Sequence, residues 1–348
     1  MPVTTTYPGV YIEELASTAL SVSANATAVP VFAFAGDSSS AAVTRIHSWL
    51  EFTSTPEFSD PTLNACIRTY FENGGGPCYL VPTGSMELEV PKLDDATLLV
   101  AAGQEIGTAV TALCTEGKNL FAILDGPTQP PASVGAITGT ANEYAAIYYP
   151  WLQASWTTVD IPPSAAVAGA YCLNDRSRGV WKAPANMALQ GGVLPKYRVS
   201  DTFQGAHTTG DKALNMIRQF NNGSPLIWGA RTSKAATEEE WRYVPVRRLF
   251  NSAEKDIGDT MQTLMYEPNS QPTWERARSA ISNYLYSLWR QGGLAGAREE
   301  EAYFVKIGLN VTMSPDDIND GKMIVQVGMA AVRPAEFIIL QFTQDVAQ

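Results

Sequence analysis

Short runs of apolar residues, closed by turn residues, recur along the first two thirds of the chain and predict buried β-strands. These runs cover residues 30–37, 78–81, 119–127, 146–152 and 226–232. Between them, apolar residues at helical spacing predict an amphipathic helix over residues 61–73, and Pro162 and Pro163 open a run of small residues typical of a helix. Strands that alternate with helices indicate an α/β layer with some parallel pairing.

Two further patterns in this region predict a loop and a helix over residues 94–105 and a helix over residues 140–146. The character of the chain changes near Ser233, where a long helical pattern begins and covers residues 238–267. Thr273 is a suitable N-cap for a second helix over residues 274–291, which Gly292 ends. Its apolar residues fall on one face at about 100° per residue.

After these helices, residues 302–309, 322–329 and 337–343 read as three strands, so we predict an α+β C-terminal domain. The last strand lies close to the chain end, and a second strand pattern, residues 10–14, lies close to the start. Neither has a hairpin partner beside it. An uncovered terminal strand is an aggregation hazard, unless its purpose is to pair with a neighbouring molecule by strand addition.

Composition and charge exclude several protein classes. The 348 residues are 45% hydrophobic and 17% charged, as in a folded globular protein with room for two domains. A net charge of −11 argues against wrapping directly around nucleic acid. Residues 15–36 carry no charge but are interrupted by polar residues, so they predict no membrane helix. Glu13 and Glu14 occupy the place where a signal peptide needs positive charge.

Candidate chemistry is sparse. The cysteines Cys66, Cys78, Cys114 and Cys172 lack CxxC spacing and predict free thiols. His47 and His207 lack a neighbouring Cys or His, so we predict no metal site and no cofactor. The sequence holds no GxSxG elbow, and the glycines at 74–76 follow a helix and lack the Lys-Ser/Thr of a phosphate loop. We therefore predict that the protein is not an enzyme.

One local charge imbalance stands out. Residues 274–298 carry four arginines and one glutamate within an acidic chain. A charged helix face is ordinarily a solvated surface. A positive stripe on an acidic protein is also suited to docking an acidic partner, and the sequence leaves both possibilities open.

A series of motifs resembles, in order and over nearly the whole chain, the contractile tail sheath proteins of bacteriophages, R-type bacteriocins and extracellular contractile injection systems. The motifs are Tyr7-Pro8-Gly9-Val10-Tyr11-Ile12-Glu13-Glu14, Phe71-Glu72-Asn73-Gly74-Gly75, Tyr149-Pro150-Trp151, Pro162-Pro163-Ser164 with Ala168-Gly169, Arg178-Gly179-Val180-Trp181-Lys182-Ala183-Pro184-Ala185-Asn186, Trp228-Gly229-Ala230-Arg231-Thr232 and Arg333-Pro334-Ala335-Glu336-Phe337. Pro82 departs from the family, in which an arginine is expected at that position.

The resemblance implies a structural subunit that polymerises helically around an inner tube protein and contracts to drive the tube through a target envelope. It implies further partners in baseplate and terminator or cap proteins, with no direct nucleic acid and no membrane insertion. It also implies assembly in the bacterial cytoplasm, followed by use in a phage tail or a released particle. A non-contractile, strand-swapped shell protein is the alternative function, and a degenerate hydrolase is a more remote one.

The resemblance also implies a fold and a division of the chain. An N-terminal arm and hinge would cover residues 1–20, and residues 16–28 have the Ser/Ala/Thr composition of a hinge. A subtilisin-like α/β layer without a triad would cover 21–232, the α+β domain 233–333 and a C-terminal arm 334–348. The predicted inter-subunit arm residues are Tyr7, Val10, Tyr11, Ile12, Phe337, Ile338, Ile339, Leu340 and Phe342. The predicted tube-facing residues are Arg276, Arg278, Arg290 and Arg298.

Overall fold

The computed structural model describes residues 20–36, 43–55, 58, 60–133, 141–208, 212–234 and 239–336. These residues divide into two compact units. The larger unit contains the described residues of 24–256, 292–295 and 331–336. The smaller unit contains residues 20–23, 257–291 and 296–330.

The larger unit is built from short strands and intervening helices. Its strands are β1 (Pro30–Phe34), β2 (Thr44–Ile46), β3 (Cys78–Pro82), β4 (Leu98–Val100), β5 (Phe121–Asp125), β6 (Ala145–Tyr149), β7 (Leu152–Ala154), β8 (Met187–Ala188), β9 (Val193–Pro195), β10 (Leu214–Gln219) and β11 (Pro225–Trp228). Its helices are α1 (Trp49–Thr53), α2 (Pro61–Glu72), α3 (Met86–Glu89), α4 (Gly107–Leu113), α5 (Pro163–Arg178), α6 (Asp201–Thr208) and the first part of α7 (Val244–Gln262). The predicted strands near residues 30, 78 and 119 and the predicted helices near residues 61 and 165 are confirmed.

One large sheet organises this unit. Within the described part of the chain it has nine strands in the order β2-β3-β1-β4-β5-β6-β10-β11-β8. The six strands from β3 to β10 run parallel, and Phe32 of β1 lies between Leu80 and Val100 of its two neighbours. Antiparallel pairs close the sheet at both edges. The α/β prediction is therefore correct at the level of a large mixed sheet with helices.

The sheet is buried on both faces. Phe32, Leu80 and Phe121 pack with α2 and α5 on one side, while the alternate residues Val31 and Leu99 pack with α4 on the other. Small residues on α5 allow it to approach α2 closely, because a Cβ on Gly169 would lie only 2.4 Å from the carbonyl oxygen of Tyr70. This contact gives the Ala168-Gly169 motif a packing role.

The smaller unit combines one long helix with shorter helical segments and a two-stranded antiparallel sheet. It contains the end of α7, α8 (Gln271–Arg290), α9 (Glu299–Ala302), β12 (Tyr303–Lys306), α10 (Pro315–Asn319) and β13 (Gln326–Met329). Strands β12 and β13 pair antiparallel, and a core of Leu264, Ala277, Ile307 and Met313 lies beneath them. This is the predicted α+β arrangement, although its predicted third strand, residues 337–343, lies outside the described residues.

Two predicted helices in the larger unit are wrong. Residues 94–105 contain strand β4, whose three residues are fully buried between β1 and β5. A run this short gives no periodic signal of its own. Residues 141–144 form a turn instead of a helix, because the side chain of Asn142 accepts a hydrogen bond from the backbone of Tyr144. Such local bonds from Asn compete with helix formation.

Two boundaries also differ from prediction. Helix α8 begins at Gln271 with Ser270 in the N-cap position, and Thr273 is a buried residue of its first turn. The division between the two compact units lies after residue 256, whereas the predicted domain boundary is at 233. The difference arises because Val244, Leu249 and other residues in the first half of α7 are buried in the larger unit.

No described helix combines the length with the apolar character that a membrane span requires. Residues 15–19 of the uncharged stretch lie outside the described residues.

Candidate assembly surfaces

The predicted arm residues cannot be placed on this structure. Tyr7, Val10, Tyr11 and Ile12 precede the described residues, and the set Phe337, Ile338, Ile339, Leu340 and Phe342 follows them. The structure does describe two end segments of the larger unit near these stretches, residues 24–28 and 331–336. Both end segments are fastened to the larger unit by charged groups.

A buried ion pair holds the N-terminal end segment. Arg248 of α7 donates two hydrogen bonds to Asp175 of α5, at 2.6 and 3.1 Å, and their side chains are only 3% and 5% exposed. Thr27 completes the cluster, since its hydroxyl donates to Asp175 and its carbonyl accepts from Arg248. Hydrogen bonds to the remaining donors and acceptors help to offset the desolvation cost of a buried ion pair.

A second contact lies two residues earlier. Asn25 donates from its backbone and its side chain to the buried carboxylate of Asp256, at 2.8 and 2.9 Å. The final part of the predicted hinge over residues 16–28 is therefore held on α7.

A different ion pair holds the C-terminal end segment. The guanidinium of Arg231 donates from Nε and Nη2 to Glu336 at 2.8–3.1 Å, and Tyr243 donates its hydroxyl to the same carboxylate. The Arg231 side chain is 8% exposed and that of Glu336 is 24% exposed. Two parallel N–H donors match the two oxygens of a carboxylate. This two-bond arrangement makes the interaction stronger and also fixes the orientation of the carboxylate. Burial and the nearby Glu336 raise the pKa of Tyr243.

The Trp228–Thr232 motif explains how Arg231 is positioned. Gly229 lets the chain approach β10 closely, because a Cβ there would lie 2.8 Å from Oδ1 of Asn215. Asn215 then accepts from the backbone nitrogen of Arg231 and donates to its carbonyl oxygen. Nη1 of Arg231 donates to the carbonyl of Thr208 at 2.8 Å. These hydrogen bonds hold the guanidinium of Arg231 in place independently of Glu336.

The predicted tube-facing arginines lie in the smaller unit and differ in their surroundings. Arg276 and Arg290 are exposed on the face of α8 opposite Ala277, Ile281 and Leu285. Arg276 has a loose pair with Glu267 at 3.9 Å, and Arg290 has no ion pair with any described residue. Helix α8 therefore presents positive charge to its surroundings, as its periodicity predicts.

The other two arginines, Arg278 and Arg298, differ in exposure and in their contacts. Arg278 is partly exposed, pairs with Glu275 at 2.7 Å and donates to the carbonyl of Ile307. Arg298 is exposed in the N-cap position of α9, beyond α8. Of the four, Arg278 is thus engaged in holding its own unit together.

The potential nucleophiles serve the fold. Burial raises the pKa of all four cysteine thiols, so they remain protonated at neutral pH. Asp125 accepts from the backbone and hydroxyl of Ser164 and from the backbone of Gly103, which joins β5 to the start of α5. Desolvation raises the pKa of Asp125 to about 6, against the opposing effect of these bonds.

In the part of the chain that the structure describes, the histidines and acidic residues form no recognisable reactive cluster. His207 is buried, stacks on Phe203 and lies 2.8 Å from the carbonyl of that residue, whereas His47 is exposed. Within the described ranges, no group of three His, Cys, Asp or Glu side chains is arranged to hold a metal ion.

The solved structures that resemble this chain include the sheath complex, in its contracted state, of an extracellular contractile injection system called PVC. The two chains are 56% identical, the match covers 99% of each, and the TM-score is 0.89. The chain belongs to the contractile tail sheath proteins. The model of the phage tail sheath C-terminal domain also matches residues 236–345 of this sheath protein.

Further solved structures of sheath-related chains are also similar to this chain. Chains of the anti-feeding prophage baseplate and of its contracted helical sheath are both 44% identical to this sheath protein, with TM-scores of 0.79. They match 99% and 98% of this chain, respectively, and 100% of their own lengths. A sheath tail protein from Desulfitobacterium hafniense shares the fold at 9% identity, with a TM-score of 0.61 and coverage of 93% of this chain and 100% of its own. Comparison with curated proteins gave no match.

Neither of the ion pairs that fasten the end segments of this sheath protein is predicted by its sequence. Arg231 and Glu336 lie within two of the quoted motifs but 105 positions apart. Asp175 and Arg248 lie 73 positions apart, and neither belongs to a quoted motif. The available signal was Asp175, the first charged residue of α5 after an uncharged run, since a charged residue needs a partner when it is buried.

Proposed function

We propose that this protein is the repeating subunit of a contractile sheath, polymerising helically around an inner tube and contracting to drive the tube through a target envelope. The observation that carries the proposal is the 56% identity over 99% of the chain to a sheath protein in a contracted complex. Head-to-tail contacts that do not close into a ring generate a helix of this kind.

The proposed partners are other copies of this chain, the inner tube protein, baseplate proteins and terminator or cap proteins. The matched anti-feeding prophage chains come from a baseplate and from a helical sheath, which supports the first and third of these. The particle would be assembled in the bacterial cytoplasm and then released or used as a tail. The central unit would be a subtilisin-like layer that retains shape without catalysis, an interpretation favoured by its large and mostly parallel sheet.

Electron microscopy of the purified protein tests the proposal directly. Sleeves of constant width, alone or around the inner tube, are expected. Closed rings or shells would contradict it in favour of a non-contractile assembly, and catalytic turnover by monomers would contradict the absence of an enzymatic role.

In the proposed sheath, both arms add strands to neighbouring subunits. Among the described residues β12 and β13 pair only with each other, so their outer edges offer unpaired backbone groups to an added strand. Strand addition obtains its affinity from main-chain hydrogen bonds and its register from alternating side chains. The fastened end segments would fix the points from which the arms extend.

We predict that Ile339→Pro prevents sleeve formation while the monomer melts at nearly the wild-type temperature. Proline removes a backbone donor from the predicted arm strand, whose partner strand belongs to another subunit. Sedimentation and electron microscopy measure assembly, and thermal unfolding measures the monomer. Asp345→Pro, beyond the strand pattern, is the matched control and should assemble. Normal sleeves from Ile339→Pro would contradict the role of this arm.

The exposed arginine face of α8 is proposed to contact the tube. We predict that Arg276→Glu combined with Arg290→Glu blocks extended sheath on the tube, while tubeless contracted sleeves still form. Surface ion pairs are individually worth about 0–1 kcal/mol, but every subunit repeats them. Such weak pairs suit a contact that must break when the sheath contracts. Co-assembly with the tube at low salt, where screening is least, measures the effect.

The control for this experiment is Lys118→Glu combined with Arg178→Glu. Both residues are exposed on the larger unit, and the double replacement makes the same change in net charge, from −11 to −15. It should leave extended assembly intact. If the α8 variant assembles on the tube as well as this control does, its arginines face solvent.

A further inference from the structure

The chain that follows β13 is attached to the larger unit at three places within six residues. Ala331 forms a β-bridge with Leu294, and the backbone nitrogen of Val332 donates to Gly293 at 3.2 Å. Glu336 then binds Arg231 through both carboxylate oxygens. The first three residues of the predicted C-terminal arm, 334–336, thus belong to a stretch that is bound to its own subunit.

The Arg231–Glu336 pair is the strongest of these attachments. Arg231 cannot turn to follow a departing carboxylate, because Asn215 holds its backbone and Thr208 holds its Nη1. If Glu336 left, Nε and Nη2 of a guanidinium only 8% exposed would lose their acceptors. Breaking a shielded pair by removing one partner leaves an uncompensated charge and is strongly unfavourable.

Neutral side chains do not replace Glu336 at this site. Arg231 offers two parallel donors and Tyr243 offers a hydroxyl that donates to the same group. Three donors converging on one position require an acceptor-only group with two oxygens, which is an ionised carboxylate. A glutamine at this position would bring its own NH₂ donors toward the guanidinium.

We infer that the Arg231–Glu336 pair is the fixed root of the C-terminal arm. It stays closed within each subunit in the extended and in the contracted sheath, so residues 331–336 move with their own subunit. Glu336 is a positioning residue for strand addition, because it sets where the arm leaves its own subunit. This inference rests on the proposed function and specifies one element of it.

The first test compares Glu336→Ala with Glu300→Ala, which removes an exposed acid that has no ion pair with a described residue. Releasing residues 331–336 adds their length to the tether of the predicted arm strand and lowers the effective concentration of that strand at its acceptor. We expect Glu336→Ala to lower the yield of sleeves at least about tenfold, with Glu300→Ala unchanged. The sleeve yield of Glu336→Gln should lie between the yields of these two variants. Of the variants at the pair, Tyr243→Phe should show the smallest loss of sleeves.

A local readout separates anchoring from general stability. Hydrogen exchange in the monomer should accelerate at residues 331–336 in Glu336→Ala, by about tenfold or more, while β6 keeps its wild-type protection. Exchange and assembly that both match Glu300→Ala would overturn the inference. If Glu336→Ala does not fold, structures of the wild-type sheath decide the question instead.

Those structures should be determined in the extended and contracted states. The inference expects Arg231 and Glu336 of the same subunit to remain within hydrogen-bond distance in both. An open pair in either state overturns it. If the wild-type chain forms no sleeve at all, the proposed function fails, and the exchange measurement on the monomer still accepts or rejects the anchor.

Discussion

Replacing Asp175 by alanine is expected to lower the free energy of unfolding by about 3–5 kcal/mol. The carboxylate is 5% exposed and neutralises Arg248, which is 3% exposed, while Thr27 bonds both. Its removal leaves the guanidinium of Arg248 buried without its carboxylate, while the carbonyl of Thr27 and the ring of Tyr171 remain beside it. Denaturant unfolding followed by tryptophan fluorescence measures the loss.

Two variants control for this result. Glu89→Ala breaks an exposed pair with Lys92, in which the side chains are 28% and 57% exposed, and should cost about 0–1 kcal/mol. Asp175→Leu combined with Arg248→Met removes both charges and should recover much of the stability that Asp175→Ala loses, since apolar groups of similar volume can replace a buried ion pair. A loss of less than about 1 kcal/mol in Asp175→Ala would show that water reaches Arg248.

Deleting residues 1–14 is expected to abolish sleeves and to leave a folded monomer. The deletion removes the predicted strand at residues 10–14, which would pair with a neighbouring subunit. It spares Asn25 and Thr27, the contacts that hold the described N-terminal segment on the larger unit. Circular dichroism and thermal unfolding should therefore match the full chain, while electron microscopy should show no polymer.

The control for the deletion is removal of residues 1–5 alone, which ends before the Tyr7-Pro8-Gly9 turn signal. This shorter deletion should assemble like the full chain. Sleeves of ordinary length and width from the protein lacking residues 1–14 would refute the proposed linkage by the N-terminal arm.

Local pattern was sufficient for the elements that bury a regular face. The alternation or continuity of apolar residues located β1 and β5, and the spacing of Ala277, Ile281 and Leu285 identified the buried side of α8 and hence its positive side. These features follow from the period of side chains along a strand or a helix, which neighbouring residues determine. The motif series likewise indicated the sheath family before any fold was known.

The sequence by itself therefore determined the α/β character, the α+β end of the chain, the exposed arginine face and the family. The tertiary structure alone decided that β4 is a strand, since its three residues are stabilised by β1 and β5 on either side. It alone joined Arg231 to Glu336 and Arg248 to Asp175. Those partners are far apart in sequence, and only the folded chain brings each buried guanidinium to the carboxylate that neutralises it.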